Sequence, residues 1–372
     1  MKGWLQDIRT LADVLLAGAS AQRGQLPEMA SENESWQLEE LVQALDVCLA
    51  HEHLEAMRAD VAALLQRSVD FGLSDLAWLS GELQQVLGAR TRERACYYLR
   101  RLRKALTVER TNGVNDLNLS LWKSYPEVIT DSLWLIDRRD NAGAHAAWYW
   151  GNFVPQIPHQ LLLRYTHAGE WVLDPFVGSG TTLIECRRLG RNGIGVELNS
   201  DTATRAREAI AAEPNPHDVT TRVVEGDSTC LDYSTVLAQH DLTQVQLLIL
   251  HPPYHDIIRF SADPADLSSA GSTEVFVQRF GDLVARVRPC LADGRYLAVV
   301  IGDKYSHGEW IPLGFYLLQA VAENGFQLKS IVIKNFEDTR AKRQAKALWR
   351  YRALAGGFYV FKHEYILIFR KR

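Results

Sequence analysis

The sequence predicts an α/β fold: a mostly parallel sheet with helices on both faces, preceded by a small all-α domain. Three observations predict it. Residues 1–106 repeat apolar side chains at helical spacing. From about Trp148 onward, short apolar runs of strand character alternate with helical stretches, the pattern of parallel β-α-β units. The length of 372 residues suits two or three domains.

Composition narrows the class of protein. Hydrophobic residues make up 47% of the chain and charged residues 23%, which excludes a disordered or fibrous protein. No apolar run is long enough to span a membrane, and the start of the chain lacks a signal peptide's apolar region. We therefore expect a cytoplasmic protein. The five cysteines form no CxxC pair, so neither a disulfide framework nor a metal site is expected.

The first part of the chain reads as five helices. They are predicted at Trp4–Leu15, Trp36–Leu49, Leu54–Val69, Leu76–Leu87 and Thr91–Leu106, with a polar break at Gly24–Ser35 and Ser74 as the cap of the fourth helix. No catalytic cluster is found among them. Residues 107–147 contain turn signals and are predicted to connect this domain to the second, residues 148–372.

The second domain reads as alternating strands and helices. Strands are predicted at Glu170–Asp174, Gly193–Glu197, Thr221–Glu225, Gln246–Leu250, Tyr296–Ile301, Leu328–Lys334 and Tyr359–Phe369. Helices are predicted at Thr181–Leu189, Asp201–Ala212, Glu274–Cys290 and Pro312–Glu323. Ligands of such sheets bind at the carboxyl ends of the strands, so the strand ends are the places to search.

The first strand end carries a glycine loop, DPFVGSGTT at residues 174–182. Gly178 and Gly180 allow a ligand to approach the backbone, and the following helix start offers free N–H groups. The loop has no lysine, which excludes a Walker A phosphate site. Glu197 follows about 20 residues later, where an acidic side chain binds a ribose in nucleotide folds. Asp227, after the third strand, is placed to accept from an adenine amino group.

The fourth strand ends at the sequence HPPY, residues 251–254. Two prolines fix a rigid turn and the direction of its carbonyl groups. The polar residue before them and the aromatic residue after them form a slot in which an amino group is bound and a planar base stacks on Tyr254. A plain strand-ending turn with a packed tyrosine is the alternative.

The glycine loop and HPPY together resemble the DNA amino-methyltransferases, which methylate adenine N6 or cytosine N4. Upstream, residues 150–158 are similar to the family's segment that closes over the methionine end of the cofactor. The resemblance covers residues 148–372 and leaves the all-α domain uncovered. It implies a Rossmann-like methyltransferase domain, S-adenosyl-L-methionine as cofactor, and double-stranded DNA as partner.

The resemblance also implies roles for individual residues. The implied cofactor-binding residues are Asn152, Phe153, Pro155, Asp174, Phe176, Gly178, Gly180, Thr181, Glu197 and Asp227. The implied catalytic residues are His251, Pro252, Pro253 and Tyr254. The family usually has Asp, Asn or Ser in place of His251, to accept a hydrogen bond from the target amine. A neutral imidazole nitrogen accepts such a bond, and a protonated one does not. The target base would be flipped into the HPPY slot, with residues 255–273 as a mobile loop over it.

Charge adds a partner surface. The net charge is -4, yet residues 90–110 carry eight Lys and Arg and residues 329–372 carry twelve. Such surfaces suit a polyanion, with solvated faces as the alternative. The predicted phosphate contacts are Arg340, Lys342, Arg343, Lys346, Arg350 and Arg352. For the interleaved aromatics, Trp349, Tyr351 and Phe358, core packing and base stacking both stay open.

Three functions remain open at this point. The leading one is a DNA amino-methyltransferase. The second is an RNA base methyltransferase of the same fold, and the third is a catalytically silent methyltransferase fold that binds nucleic acid or a partner. The all-α domain is a candidate for binding a partner protein or a second copy of the chain.

Overall fold

The computed structural model describes residues 30–70, 77–145, 148–335 and 346–372. The chain divides into two units, Met1–Val108 and Glu109–Arg372. The helix predicted at Trp4–Leu15 and the cap predicted at Ser74 lie outside the described residues. The functional division at residues 106 and 147 stays a prediction, because compactness alone does not say where a functional domain begins.

The first unit is helical over its described residues. Its helices are α1 (Ala30–Ala50), α2 (Leu54–Asp70), α3 (Ala77–Leu87) and α4 (Arg92–Thr107). Thr91 caps α4, since its side chain accepts from the backbone N–H of Arg94. The fully buried side chains include Leu45, Met57, Val61, Leu83 and Leu99. The polar break predicted at Gly24–Ser35 is wrong from Ala30 onward, where α1 begins.

The second unit is built on an eight-stranded sheet. Its strands are β1 (Leu133–Trp134), β2 (Trp171–Asp174), β3 (Asn192–Glu197), β4 (Thr221–Glu225), β5 (Val245–Leu250), β6 (Leu291–Ile301), β9 (Phe326–Asn335) and β10 (His363–Lys371), in the order β1-β9-β10-β6-β5-β2-β3-β4. The strands β7 (Lys304–Ser306) and β8 (Glu309–Ile311) form a separate hairpin. Only β10 runs antiparallel to its neighbours in the large sheet. The predicted mostly parallel sheet is confirmed.

Seven α-helices accompany the described strands of this unit. They are α5 (Gln156–Tyr165), α6 (Thr181–Leu189), α7 (Ser200–Ala212), α8 (Tyr233–Ala238), α9 (Thr273–Val287), α10 (Leu313–Glu323) and α11 (Lys346–Gly356). The helix predicted to reach Cys290 ends at Val287, because Pro289 has no N–H to continue it, and a 3₁₀ turn follows. The last strand begins at His363 rather than at the predicted Tyr359.

The sheet is covered on both faces. In β5, Leu248 belongs to a core cluster with Phe276 and Phe280 of α9, while Leu247 and Ile249 belong to a second cluster with α5. Successive side chains of a strand point to opposite faces, so the two clusters lie on opposite sides. This confirms the predicted layers. No helix within the described residues has the length and apolarity needed to cross a membrane.

Candidate active site

Four neighbouring strands bring the predicted site residues to one edge of the sheet. β2, β3, β4 and β5 are mutually parallel, so their carboxyl ends share that edge. Asp174 and Glu197 are the last residues of β2 and β3. Asp227 follows β4, and His251 follows β5 directly. The structure thus brings together residues that are far apart in the sequence.

The Asp174 carboxylate braces the glycine loop. One oxygen accepts from the backbone N–H of Phe176 at 2.9 Å, and the other accepts from the Thr182 hydroxyl at 2.5 Å. The side chain is almost fully buried, and burial raises its pKa to about 7 against the opposing effect of these two bonds. Its contacts fix the start of the loop to the start of α6.

The two loop glycines are required by geometry. Gly178 has φ +50° and Gly180 has φ +87°, both in the left-handed region. A Cβ on Gly178 would lie 3.0 Å from the ring of Tyr149, and one on Gly180 would lie 2.9 Å from the side chain of Ile210. Any larger residue would therefore be strained at both positions. α6 begins immediately after Gly180, so its free N–H groups face the loop.

The segment before α5 connects the glycine loop to HPPY. The side-chain oxygen of Asn152 accepts from the Thr181 hydroxyl at 2.8 Å. The ring of Phe153 is buried, with its centroid 4.7 Å from that of His251. Pro155 occupies the position directly before α5 and makes no side-chain capping bond. The side-chain nitrogen Nδ2 of Asn152 is buried and has no hydrogen-bond partner among the described residues.

The two acidic residues predicted to bind a nucleoside already have protein partners. Glu197 accepts from the backbone N–H of Asn199 at 2.9 Å, and the Gly178 N–H also donates to it. Burial raises the pKa of Glu197. One oxygen of Asp227 accepts from both the N–H and the hydroxyl of Thr229. These bonds orient each carboxylate at its strand end.

Within HPPY, the tyrosine connects His251 to the far strands of the sheet. The Tyr254 hydroxyl donates to Glu364 of β10 at 2.7 Å, and Glu364 forms an ion pair with Lys334 of β9 at 3.0 Å. His251 Nε2 lies 3.4 Å from the Tyr254 hydroxyl oxygen. Burial, with the Lys334 charge adding to it, lowers the pKa of His251 to about 3. The imidazole is therefore neutral at physiological pH.

Sequence reasoning missed Lys334 and Glu364 as parts of this site. Both are charged residues that are buried, Lys334 in β9 and Glu364 in β10. Glu364 directly precedes the apolar run of β10. A charged residue next to such a run could have indicated a buried, paired charge from the sequence alone. Their connection to Tyr254 follows only from the order of the strands, which the sequence does not give.

Two aromatic residues over the glycine loop were also missed. Tyr149 lies against Gly178 and stacks on Phe260, with ring centroids 5.5 Å apart. Phe260 belongs to residues 255–273, predicted as a mobile loop, which stays a prediction. In the structure that segment is anchored at its start: buried His255 bonds the carbonyl of Ala270 at 2.9 Å and the Lys304 ammonium at 2.7 Å.

The two basic segments differ in the structure. In the first, Arg103 pairs with Asp46, Arg101 pairs with Glu82, and Arg92 donates to the backbone oxygen of His51. In the second, Arg340, Lys342 and Arg343 lie outside the described residues, as does the side chain of Lys346, while Arg350 and Arg352 are exposed. The aromatic residues between these cations differ in their environment. Phe358 packs within the protein, with its ring stacked on Tyr305, whereas Tyr351 is 69% exposed.

Comparison with known proteins identifies relatives of part of the chain. Residues 123–208 match the N6/N4 methyltransferase family model, described as DNA methylase. The type II methyltransferase M.MjaII of Methanocaldococcus jannaschii is 43% identical over 51 residues, 14% of this chain and 10% of the relative. M.SmaI of Serratia marcescens is 34% identical over 98 residues, which are 24% of this chain and 32% of the relative. M2.DpnII of Streptococcus pneumoniae is 43% identical over 67 residues, which are 17% of this chain and 25% of the relative.

The chain thus spans between 10% and 32% of the length of these curated relatives. The matched family segment contains the residues before α5, the glycine loop and Glu197. The resemblance to DNA amino-methyltransferases is confirmed over residues 123–208, a match that begins upstream of the expected start at residue 148 and ends before HPPY. For residues 209–372 the resemblance stays a prediction.

Proposed function

We propose that the protein transfers a methyl group from S-adenosyl-L-methionine to an exocyclic amino group, adenine N6 or cytosine N4, of a DNA base. One observation carries the proposal. Asn152 bonds Thr181 at the glycine loop while the next residue, Phe153, contacts His251. A cofactor loop and a Pro-Pro-Tyr turn therefore meet across one short segment, as methyl transfer between two bound molecules requires.

The residues present fit this cofactor. The unpartnered, buried Nδ2 of Asn152 is a donor suited to an oxygen of the methionine end. The left-handed glycines leave the backbone open to close approach. Glu197 would accept from ribose hydroxyls and Asp227 from the adenine amino group. When bound, the cofactor supplies an electrophilic methyl group on a sulfonium.

His251 and Pro252 would hold the target amine. The Tyr254 O–H donates to Glu364, so its oxygen can only accept from His251. We infer that Nε2 of His251 carries the proton and that Nδ1 is left as the acceptor for the amine. The Pro252 carbonyl accepts the second amine hydrogen. These two bonds favour a tetrahedral nitrogen, whose lone pair is otherwise delocalised into the base and poorly nucleophilic.

Tyr254 would position the base. Its hydroxyl is fixed by Glu364, and one side of its ring packs so closely on Gly302 that a Cβ there would lie 2.8 Å away. The ring therefore has a fixed plane, on which a flipped base could stack. A target within a duplex must leave the base stack to reach this slot.

The proposal is tested by incubating the protein with methyl-labelled S-adenosylmethionine and either duplex DNA or RNA, then analysing the nucleosides. We expect label in N6-methyladenine or N4-methylcytosine from DNA. Label in RNA alone would indicate the RNA methyltransferase. Cofactor binding without transfer to either would indicate the silent fold, and both results would contradict the proposal.

A further inference from the structure

Helix α11 exposes an apolar stripe between two arginines. Leu348, Tyr351 and Leu354 recur every third residue and are 49%, 69% and 72% exposed. At ~100° per residue, Arg350 and Arg352 flank this stripe on either side, while Trp349 and Ala353 are half-buried. Three of its four large apolar side chains are thus exposed, which marks an interaction surface rather than a core face. We call these five exposed residues the α11 face.

The α11 face belongs to the same edge of the sheet as HPPY. β9 runs parallel to β6, and its last residue, Asn335, pairs with His363 at the start of β10. The connection that contains α11 therefore leaves and re-enters the sheet at the carboxyl edge. Lys334 lies just before this connection and Glu364 just after it. The two residues form an ion pair, and Glu364 accepts a hydrogen bond from the Tyr254 hydroxyl.

Contacts at its end hold α11 beside the active site. Phe358 donates its backbone N–H to the Ala353 carbonyl, and its ring stacks on Tyr305 with centroids 3.9 Å apart. Tyr305 belongs to β7, shortly after Gly302, which packs against Tyr254. The end of the helix is thus tied to the hairpin next to the catalytic turn.

The charge of the α11 face selects its partner. α11 contains no acidic residue, and no carboxylate pairs with Arg350 or Arg352 within the described part of the chain, although the Arg352 guanidinium lies 5.3 Å from the centroid of the Trp349 ring. On α4, Arg101 and Arg103 are paired with carboxylates while Arg100 is exposed without one, so position at the edge of the sheet that carries HPPY distinguishes the α11 face from α4. Unpaired cations on both sides of an apolar stripe match a duplex groove, in which phosphates border the base and sugar edges.

We infer that the α11 face docks on double-stranded DNA next to the flipped base. Arg350 and Arg352 contact phosphates, and Tyr351 and Leu354 enter the groove between them, against base and sugar edges. The position at the catalytic edge places these contacts beside the base that enters the HPPY slot. The inference rests on the proposed function and adds the surface that holds the DNA.

Binding of the full chain to a fluorescent 30-base-pair duplex, measured against salt concentration, tests this surface. The double variant Arg350→Gln/Arg352→Gln should lower the salt slope by about 0.9 per lost phosphate contact. Tyr351→Ala should weaken binding roughly tenfold with the slope unchanged, because a groove contact with base and sugar edges is uncharged and releases no counterions. Arg222→Gln on β4 and Trp122→Ala, both exposed outside this connection, are the matched controls and should bind as wild type.

Methyl transfer by the same variants separates this inference from the proposed function. Wild-type transfer to duplex DNA, with α11 variants whose affinity and salt slope equal those of the controls, would overturn the inference and leave the proposed function standing. Loss of self-association in Tyr351→Ala with DNA affinity retained would make the α11 face an interface between copies, which also overturns it. Absence of duplex binding and transfer in wild type would overturn both.

Discussion

The acceptor role proposed for His251 requires a neutral imidazole, and the surroundings of His251 keep it neutral. The pKa of His251 is lowered to about 3, chiefly by burial and further by the Lys334 charge. A free imidazole titrates near ~6.5 and would lose its acceptor on mild acidification. In this site the neutral form persists across the physiological range, so the substitution is compatible with chemistry.

The pH profile of the chemical step follows from that pKa. Between about pH 8 and pH 5 the imidazole stays neutral, so protonation of His251 should not lower the single-turnover rate of methyl transfer. His251→Asn, which keeps an acceptor without titrating, should show a profile of the same shape. His251→Ala should be slower by at least tenfold across the range. An acid limb above pH 5 that disappears in His251→Asn would contradict the low pKa.

The Tyr254 hydroxyl is expected to act through His251 and not on the cofactor. Tyr254→Phe keeps the ring but removes the partner of His251 Nε2, so the acceptor tautomer is no longer favoured. We expect kcat to fall about 2- to 10-fold, the effect of one hydrogen bond, with the Kd for S-adenosylmethionine unchanged. Cofactor titration and steady-state kinetics measure the two quantities. A weaker cofactor Kd with unchanged kcat would place Tyr254 in the cofactor site instead.

Gly178 tests the assignment of the cofactor loop. Gly178→Leu forces a side chain into a left-handed position 3.0 Å from the Tyr149 ring and fills the space along the loop. S-adenosylmethionine binding should be abolished by equilibrium dialysis while circular dichroism stays that of a folded protein. Gly271→Ala is the control, because a Cβ there meets nothing within 4 Å. Unchanged affinity in folded Gly178→Leu would remove the loop from the cofactor site.

At the scale of elements, one buried carboxylate ties α5 to α6. Glu185 of α6 bonds His145 at 2.6 Å, His159 of α5 at 2.7 Å and Arg188 at 3.2 Å. Burial alone would raise its pKa, but the two histidine bonds outweigh burial and lower the pKa to about 2. Because α5 follows Asn152 and α6 follows the glycine loop, this carboxylate holds the two sides of the site together.

The pH dependence of stability measures that tie. A carboxylate whose folded pKa is depressed stabilises the fold above its unfolded pKa, and that stability is lost as pH falls toward the folded pKa. The shift from 4.5 to about 2 corresponds to roughly 3 kcal/mol. Glu185→Gln should therefore lower the urea midpoint at pH 7. Between pH 5 and pH 3 this variant should lose less unfolding free energy than the wild type does.

The exposed Glu208→Gln on α7 is the matched control for this measurement and should follow wild type. Equal losses in wild type and Glu185→Gln between pH 5 and pH 3 would show that Glu185 does not carry the acid sensitivity.

A helix or strand can be predicted from sequence when the residues that stabilise it lie within or next to it. β2 to β5 are apolar runs with turn signals after them, and the predicted bounds differ from the observed ones by one residue at most. β1 has two residues and exists because β9 pairs with it. The strands of the β7–β8 hairpin have three residues each, and α8 has six. Such elements are specified by contacts distant in sequence, which a periodicity cannot reveal.

The candidate site divides in the same way. The glycine loop and HPPY are contiguous, so their residue types were visible in the sequence. The partners that set their chemistry come from elsewhere: Tyr149 over Gly178, and Lys334 with Glu364 behind Tyr254. The neutral state of His251 at acidic pH follows from burial and from that distant lysine.

At the scale of the whole molecule, an acidic chain carries exposed cations that have no carboxylate partner among the described residues, and these include Arg100 and Arg222 as well as the two arginines of the α11 face. The net charge of -4 argues against general attraction to nucleic acid. In the helical unit Arg101 and Arg103 of α4 are engaged by Glu82 and Asp46, whereas Arg350 and Arg352 are exposed in the unit that carries the candidate active site. We expect affinity for DNA to depend on the α11 face, because it lies at the edge of the sheet that carries HPPY.

The central claim is that one sheet edge holds both a methyl donor and a target base. Single-turnover transfer of a labelled methyl group from S-adenosylmethionine to duplex DNA, in wild type and His251→Ala, tests it most directly. We expect labelled N6-methyladenine or N4-methylcytosine with wild type, and a rate at least tenfold lower with His251→Ala at equal cofactor occupancy. A wild type that binds the cofactor but labels no DNA base, or equal rates in both proteins, would contradict it.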